Sequence, residues 1–225
     1  MGRTRDGIEL AIDVLFSKFD GFIDTSPFRD LVKREFKSEN LKESPVKFFA
    51  CAVNIANGKL VYAGVEDSNI LDYIIASTAI PLAMPVKMIN NEPFLDGGIR
   101  KIAPLRQAIH DGATDIICIL CQTKDLKREK FNHRNVLELM ERLTGIVTNE
   151  TVNNDIEHFE QINTLLDQIP APPTDSLLSK KRKIDVKVIR PPEPVKLELE
   201  NFNPTQIRAA LLFGWETSQK ERANW

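Results

Sequence analysis

The stretch from Pro93 to Cys121, PFLDGGIRKIAPLRQAIHDGATDIICILC, constrains the fold more than any other part of the chain. A short β-rich run meets an Asp-Gly-Gly break. Pro104 can then open a helix that runs to His110, Gly112 can close it, and a second β-rich run follows. Strand, turn, helix and strand in that order are the material of parallel α/β sheets, so the fold class reads as α/β. Asp96 then falls at the carboxyl end of a strand, where open parallel sheets collect ligands and catalytic groups. Asp96-Gly97-Gly98 also reads as a plain turn, because Asp bonds to nearby backbone and Gly accepts positive φ at no steric cost. Residue types alone leave both readings open.

The flanking segments supply further elements. IELAIDVLF has helical spacing, and TSPFRDLVKREF predicts a second helix with Ser26 as N-cap and Pro27 at the first helical position. VKFFACAVNI and KLVYAG, joined at Asn57-Gly58, predict a hairpin with a tight turn. Asp67 or Ser68 caps a short helix on which Ile70, Leu71, Ile74, Ile75 and Thr78 share a face until Pro81 stops it. VKMI, Asn90-Asn91 and PFL predict a small hairpin leading into Asp96.

Downstream, apolar residues recur every three or four positions from Val136 to Ile169, through Leu139, Leu143, Val152, Ile156 and Leu166. They predict a long helix, with a candidate break near Gly145, that packs one face into a core. PAPPTDSLLSKKRK is a loop whose Lys180–Lys183 run reads as solvated rather than as a lipid-headgroup contact. IDVKVI alternates like a half-buried strand, and TQIRAALLFGWETSQK predicts a final amphipathic helix.

A chain of 225 residues with 42% hydrophobic and 28% charged residues can bury a substantial core. Its formal charge of -2 lacks the basic excess of a nucleic-acid binder, so no nucleic-acid partner is expected. No apolar run approaches the roughly 20 residues that cross a bilayer. The opening MGRTRDGIEL fits neither a signal peptide nor, with Asp6, an acylation signal, and the expected location is cytoplasmic. Three cysteines do not make a disulfide framework. Cys118 and Cys121 form a C-x-x-C pattern, but on a strand they face opposite ways, so both read as buried structural residues. His110, His133 and His158 share no metal-ligand spacing, and no metal site is expected.

ASTAIPLAMP followed closely by EPFLDGGIRKIAPLRQAIHDGATDIICI resembles the patatin-like phospholipase family, whose members carry an Ala-Ser-x-Ala-Ile-Pro stretch shortly before an Asp-Gly-Gly or Asp-Gly-Ala motif. GFIDTSPFRDLV is similar to the family's segment ahead of its hairpin. The resemblance covers about residues 20 to 123, and more loosely IRPPEP and FNPTQIRAALLFGW in the tail. It implies a three-layer α/β/α fold, here incomplete at its N-terminal side. Residues 1–123 would be the C-terminal part of the catalytic domain. Residues 124–225 would be an extension with the long helix, a closing strand and the final helix.

In that family a serine on a Gly-x-Ser-x-Gly elbow attacks a lipid ester and the Asp of the motif is its partner, without a histidine or cofactor. The resemblance therefore gives Asp96 the base role, with Gly97 and Gly98 completing the motif. An aspartate with its ordinary pKa of about 3.9 is a poor base unless desolvation raises it. No serine here has glycine two residues before and two after; Ser68 lies between Glu66 and Ile70, and Ser77 between Ile75 and Ala79. Both the elbow and the glycine-rich oxyanion loop precede Met1 in the family's order, so the chain reads as the Asp-Gly-Gly half of a truncated hydrolase, inactive by itself. The implied partners are a lipid or other ester substrate, a transient membrane surface, and a second copy recruited by exposed sheet edges. The competing expectation is a non-catalytic α/β interaction protein or pseudoenzyme that keeps the Asp96 turn for structure.

Overall fold

The computed structural model describes residues 3, 4, 7, 20–195 and 203–222. The expected helix in IELAIDVLF lies outside the described residues. The chain is α/β and divides into two compact units, one running up to Arg100 and one starting at Lys101.

The first unit is built on a four-stranded antiparallel sheet of β3 (Ala50–Asn54), β4 (Leu60–Ala63), β5 (Lys87–Ile89) and β6 (Glu92–Asp96), in the order β4-β3-β6-β5. Both expected hairpins form. At the β5–β6 corner Asn90 and Asn91 take φ of 51° and 62°, the left-handed pair that a two-residue turn requires and that Asn tolerates. The β3–β4 corner differs from the expected two-residue turn. Asn54 N–H donates to Lys59 O and Gly58 N–H to Asn54 O, enclosing four residues. The Asn54 side chain decides this, since its Oδ1 accepts from Ala56 N–H at 2.9 Å and Asn57 N–H at 3.3 Å.

Two short strands, β1 (Arg3–Thr4) and β2 (Ile23–Asp24), pair separately, and helix α1 (Ser26–Glu35) follows. Thr25, not Ser26, occupies its N-cap, and the capping bond comes from one residue earlier, Asp24 Oδ1 accepting from Ser26 N–H at 2.9 Å. The short α2 (Ser38–Glu43) was not expected from sequence. Helix α3 (Ile70–Ala76) is the expected one but shorter: Asn69 rather than Asp67 or Ser68 holds the cap position, with Asp67 Oδ1 accepting from Asn69 N–H, and the helix ends before Thr78 and Pro81. It buries Ile70, Tyr73 and Ala76 against Ala50, Ala52, Ala63, Ile89 and Phe94 of the sheet. Tyr73 and Phe94 meet edge to face, with centroids 5.3 Å apart at 82°.

In the second unit α4 (Leu105–His110) ends with Gly112 at φ +102°, as the sequence predicts. The strand after it, β7 (Asp115–Ile119), pairs parallel with β8 (Asp185–Ile189) in a two-stranded sheet. This corrects the expectation that β6, α4 and β7 build one parallel sheet. The two-residue turn binds β6 antiparallel to β5, and its other edge is taken antiparallel by β3.

Helix α5 (Val136–Gln168) runs through Gly145 without a break. Its buried apolar positions are Val152 and Ile156, packed against Ala103, Leu105, Cys118 and Leu120, whereas Leu143, Ile146, Val147 and Leu165 are exposed. The core face is therefore shorter than the periodicity suggested. Asparagines on this helix tie it to backbone: Asn149 Nδ2 donates to Thr123 O at 2.7 Å, and Asn163 exchanges two hydrogen bonds with Ile184. The Lys180–Lys183 loop is exposed, yet Arg182 donates to the carbonyls of Ile109 and Ala113 at the end of α4. Cys118 is buried as expected but Cys121 is exposed, because β7 stops before it. The final helix is α6 (Pro204–Arg222).

Phe94 is buried and anchors both the α3–sheet core and the ring pair. Phe94→Ala should therefore destabilise the fold by about 3–5 kcal/mol, read as a shift of the urea midpoint. A loss below about 1 kcal/mol would mean that this core is not closed as described.

Candidate functional site

Three segments singled out in the sequence meet in the first unit. β6 ends at Asp96, whose N–H donates to Ala79 O at 3.1 Å, so the Asp-Gly-Gly motif is tied by its backbone to ASTAIPLAMP. That segment in turn accepts from GFIDTS: Phe22 N–H donates to Leu82 O and Ile23 N–H to Ala83 O. Gly21, at φ +81°, lies so close to the second segment that a Cβ there would sit 2.7 Å from Met84 C. Val53, Ala79 and Leu95 form the small apolar cluster beneath the junction.

Past Asp96 the chain turns at once into a 3-10 turn, Gly97–Ile99. Asp96 Oδ1 accepts from Gly98 N–H at 2.8 Å, and among the described residues its other oxygen accepts no hydrogen bond. Both open readings of Asp96 thus have a physical basis. The carboxylate builds the turn, and it is also half-buried with one oxygen uncommitted. Burial raises its pKa above the ordinary aspartate value, and the Gly98 bond opposes this only in part. A carboxylate in this state holds a proton more readily than one in water.

Gly97 explains why the motif needs a glycine. A Cβ at this position would lie 2.3 Å from Cys51 Sγ and 2.8 Å from the Cys51 carbonyl carbon and oxygen. Cys51 was not singled out by the sequence; the available signal was its place in the alternating run FACAVN, one residue before the register partner of Asp96, Ala52. Burial, and after it the nearby Asp96 charge, push the Cys51 thiol up to about 11 against a weaker opposing bond from Tyr62. At neutral pH it is protonated and a poor nucleophile.

Among the described residues no serine stands in this frame as an activated nucleophile. Ser77 Oγ donates to Ile74 O at 2.8 Å, back-bonding to its own helix, and Ser68 is exposed in the loop before α3. His110 closes α4, while His133 and His158 are exposed, on a loop and on α5. An open cleft with about 310 Å³ of empty space is lined by Phe28, Arg29, Ile75, Ala79 and Met84 among others. Asp96 is not in its wall.

Residues 6–109 match the Patatin-like phospholipase family. The chain is thus similar to that family over somewhat less than half of its length. No curated protein matches the chain. Among the described residues no helix is long and apolar enough to cross a membrane.

The Gly97 contact gives a direct test. Gly97→Ala should lower the thermal midpoint, and adding Cys51→Ala should restore only part of the loss, because the backbone contacts at 2.8 Å remain. Full restoration by the double variant would place the whole constraint in the thiol instead.

Proposed function

We infer that this chain supplies the aspartate of a patatin-like lipid acyl hydrolase. Asp96 is the base of a Ser–Asp pair whose nucleophilic serine lies outside these 225 residues, and Gly97 and Gly98 form the tight turn that presents it. In this reading residues 1–123 belong to the catalytic domain and 124–225 extend it. The observation that carries the reading is the half-buried Asp96 carboxylate, one oxygen fixed by Gly98 N–H and its proton affinity raised by burial.

The chemistry follows from that state. A serine hydroxyl attacks an ester carbonyl only as its proton leaves, and the uncommitted Asp96 oxygen is the acceptor within a fixed frame. Serine oxygen forms the acyl bond, the alcohol departs with the proton, and water releases the acid in a second step that uses the same carboxylate. Substrates are lipid or other carboxylic esters, and the route uses no metal or organic cofactor. A non-catalytic role would keep the turn and dispense with the carboxylate's proton affinity, so the two readings diverge at Asp96→Asn.

Two outcomes test the reading. In a polypeptide that joins this chain to a Gly-x-Ser-x-Gly elbow, Asp96→Ala should lower hydrolysis of a short-chain p-nitrophenyl ester by at least about a hundredfold. Turnover within a few fold of the parent would reject the base role. The second concerns stability. Because the folded pKa is raised, folding favours the protonated form, so the ionised carboxylate costs stability once pH rises above the ordinary unfolded value. Asp96→Asn keeps an acceptor for Gly98 and removes the charge. Its thermal midpoint should equal or exceed that of the parent at neutral pH, with the advantage shrinking as pH falls through the carboxylate range. A midpoint well below the parent at neutral pH would show a stabilised carboxylate, too weakly basic for the role.

A further inference from the structure

The cleft beside the start of helix α1 holds polar groups that the Asp96 site does not use. Four polar side chains line it, and apolar ones such as Phe28, Met84 and Val86 make up the rest of the wall. Two of the four are committed elsewhere: Thr78 Oγ1 donates to Ile75 O at 2.8 Å, and Lys87 Nζ is held by Asp72 at 2.6 Å. The other two are not. Thr25 is only 7% exposed and stands at the N-cap position of α1, yet it makes no capping bond. Its hydroxyl has no hydrogen-bond partner among the described residues, whereas buried hydroxyls are as a rule bonded. Arg29, half-buried, makes one hydrogen bond, Nη2 donating to Ser26 Oγ at 3.0 Å. It forms no ion pair among the described residues. No carboxylate belongs to the lining, and Asp24 and Asp30, its neighbours in sequence, are exposed.

We propose that this cleft binds a short-chain monocarboxylate, the carboxylate taken by Arg29 and the Thr25 hydroxyl and the hydrocarbon chain laid on Phe28, Met84 and Val86. The polar end of the wall selects the charge. A guanidinium meets the two oxygens of a carboxylate through parallel N–H donors, and a neighbouring hydroxyl can donate to one of them. The apolar end selects what is attached. Phosphate or sulfate presents oxygen on every side and would set some of it against side chains that offer no donor. An uncharged alcohol of the same length would fill the apolar part and leave the guanidinium without a counter-charge. About 310 Å³ of empty space, open to solvent, suits a chain of a few carbons. Asp96 lies outside this wall, so the proposal does not depend on the role given to that residue. The two places share the backbone of Ala79, which lines the cleft and accepts from Asp96 N–H.

The test uses the whole 225-residue chain with carbon-13 in its methionine methyl groups, and Met84→Leu to assign one of the four resonances. Sodium hexanoate should move the Met84 signal to saturation, while that of Met140, in the second unit, stays in place. 1-Hexanol and inorganic phosphate should each bind at least about tenfold more weakly than hexanoate. Arg29→Gln should cost hexanoate at least about tenfold in affinity. Thr25→Val keeps the side-chain shape and removes a hydroxyl that caps nothing, so it should weaken hexanoate about three- to tenfold at an unchanged thermal midpoint. Should Arg29→Gln lose its fold, Thr25→Val decides the matter. No saturable shift of Met84 with hexanoate would overturn the proposal. So would equal binding of 1-hexanol, equal binding of phosphate, or unchanged affinity in either folded variant. No ester is turned over in any arm, so failure here leaves the role of Asp96 standing, and failure there leaves this cleft standing.

Discussion

The close approach of β3 and β6 at Cys51 and Gly97 is the constraint on which the first unit depends. β3 is paired on both sides, and its register with β6 sets Ala52 opposite Asp96. With Cys51 Sγ and backbone filling the space where a Cβ would stand, position 97 admits only glycine. The chain can then turn immediately after Asp96, which directs Gly98 N–H onto its own carboxylate. Sheet packing, turn geometry and carboxylate chemistry are thus consequences of one contact.

The same contact explains the electrostatics. Closing β6 against β3 removes water from Asp96 and Cys51 together, and burial is the leading cause of the raised pKa of both groups. Two acids in one desolvated corner do not both ionise readily. The thiol, pushed up to about 11, stays neutral at neutral pH. Ionising Asp96 against burial costs stability, because its folded pKa is raised.

Much of this was legible in the sequence because the signals were local. Asn90-Asn91 encodes a two-residue turn in its own backbone preferences, Gly112 a helix end, and the order ASTAIP then Asp-Gly-Gly the site frame. Signals that depend on a partner were not legible. Parallel pairing of β7 belonged to β8, some 70 residues on in the sequence, and not to the neighbouring β6. The Asn54 side chain widened a turn that Asn57-Gly58 would have made tight. Arg182 caps α4 from a loop that reads as merely charged. Periodicity marks the face a helix could bury, and α5 and α6 bury only part of theirs. Cys51 stayed hidden because its importance lies in what it touches.

The base role proposed for Asp96 depends on the proton affinity of its carboxyl group. Titration of Asp96 in the 225-residue chain, followed by carbon-13 NMR of its side-chain carboxyl, measures it without a substrate or a second polypeptide. A midpoint above the ordinary aspartate value of about 3.9 is the predicted result, with Asp96→Asn identifying the resonance. A midpoint at or below that value would show a carboxylate stabilised by its turn, and the base role would fall.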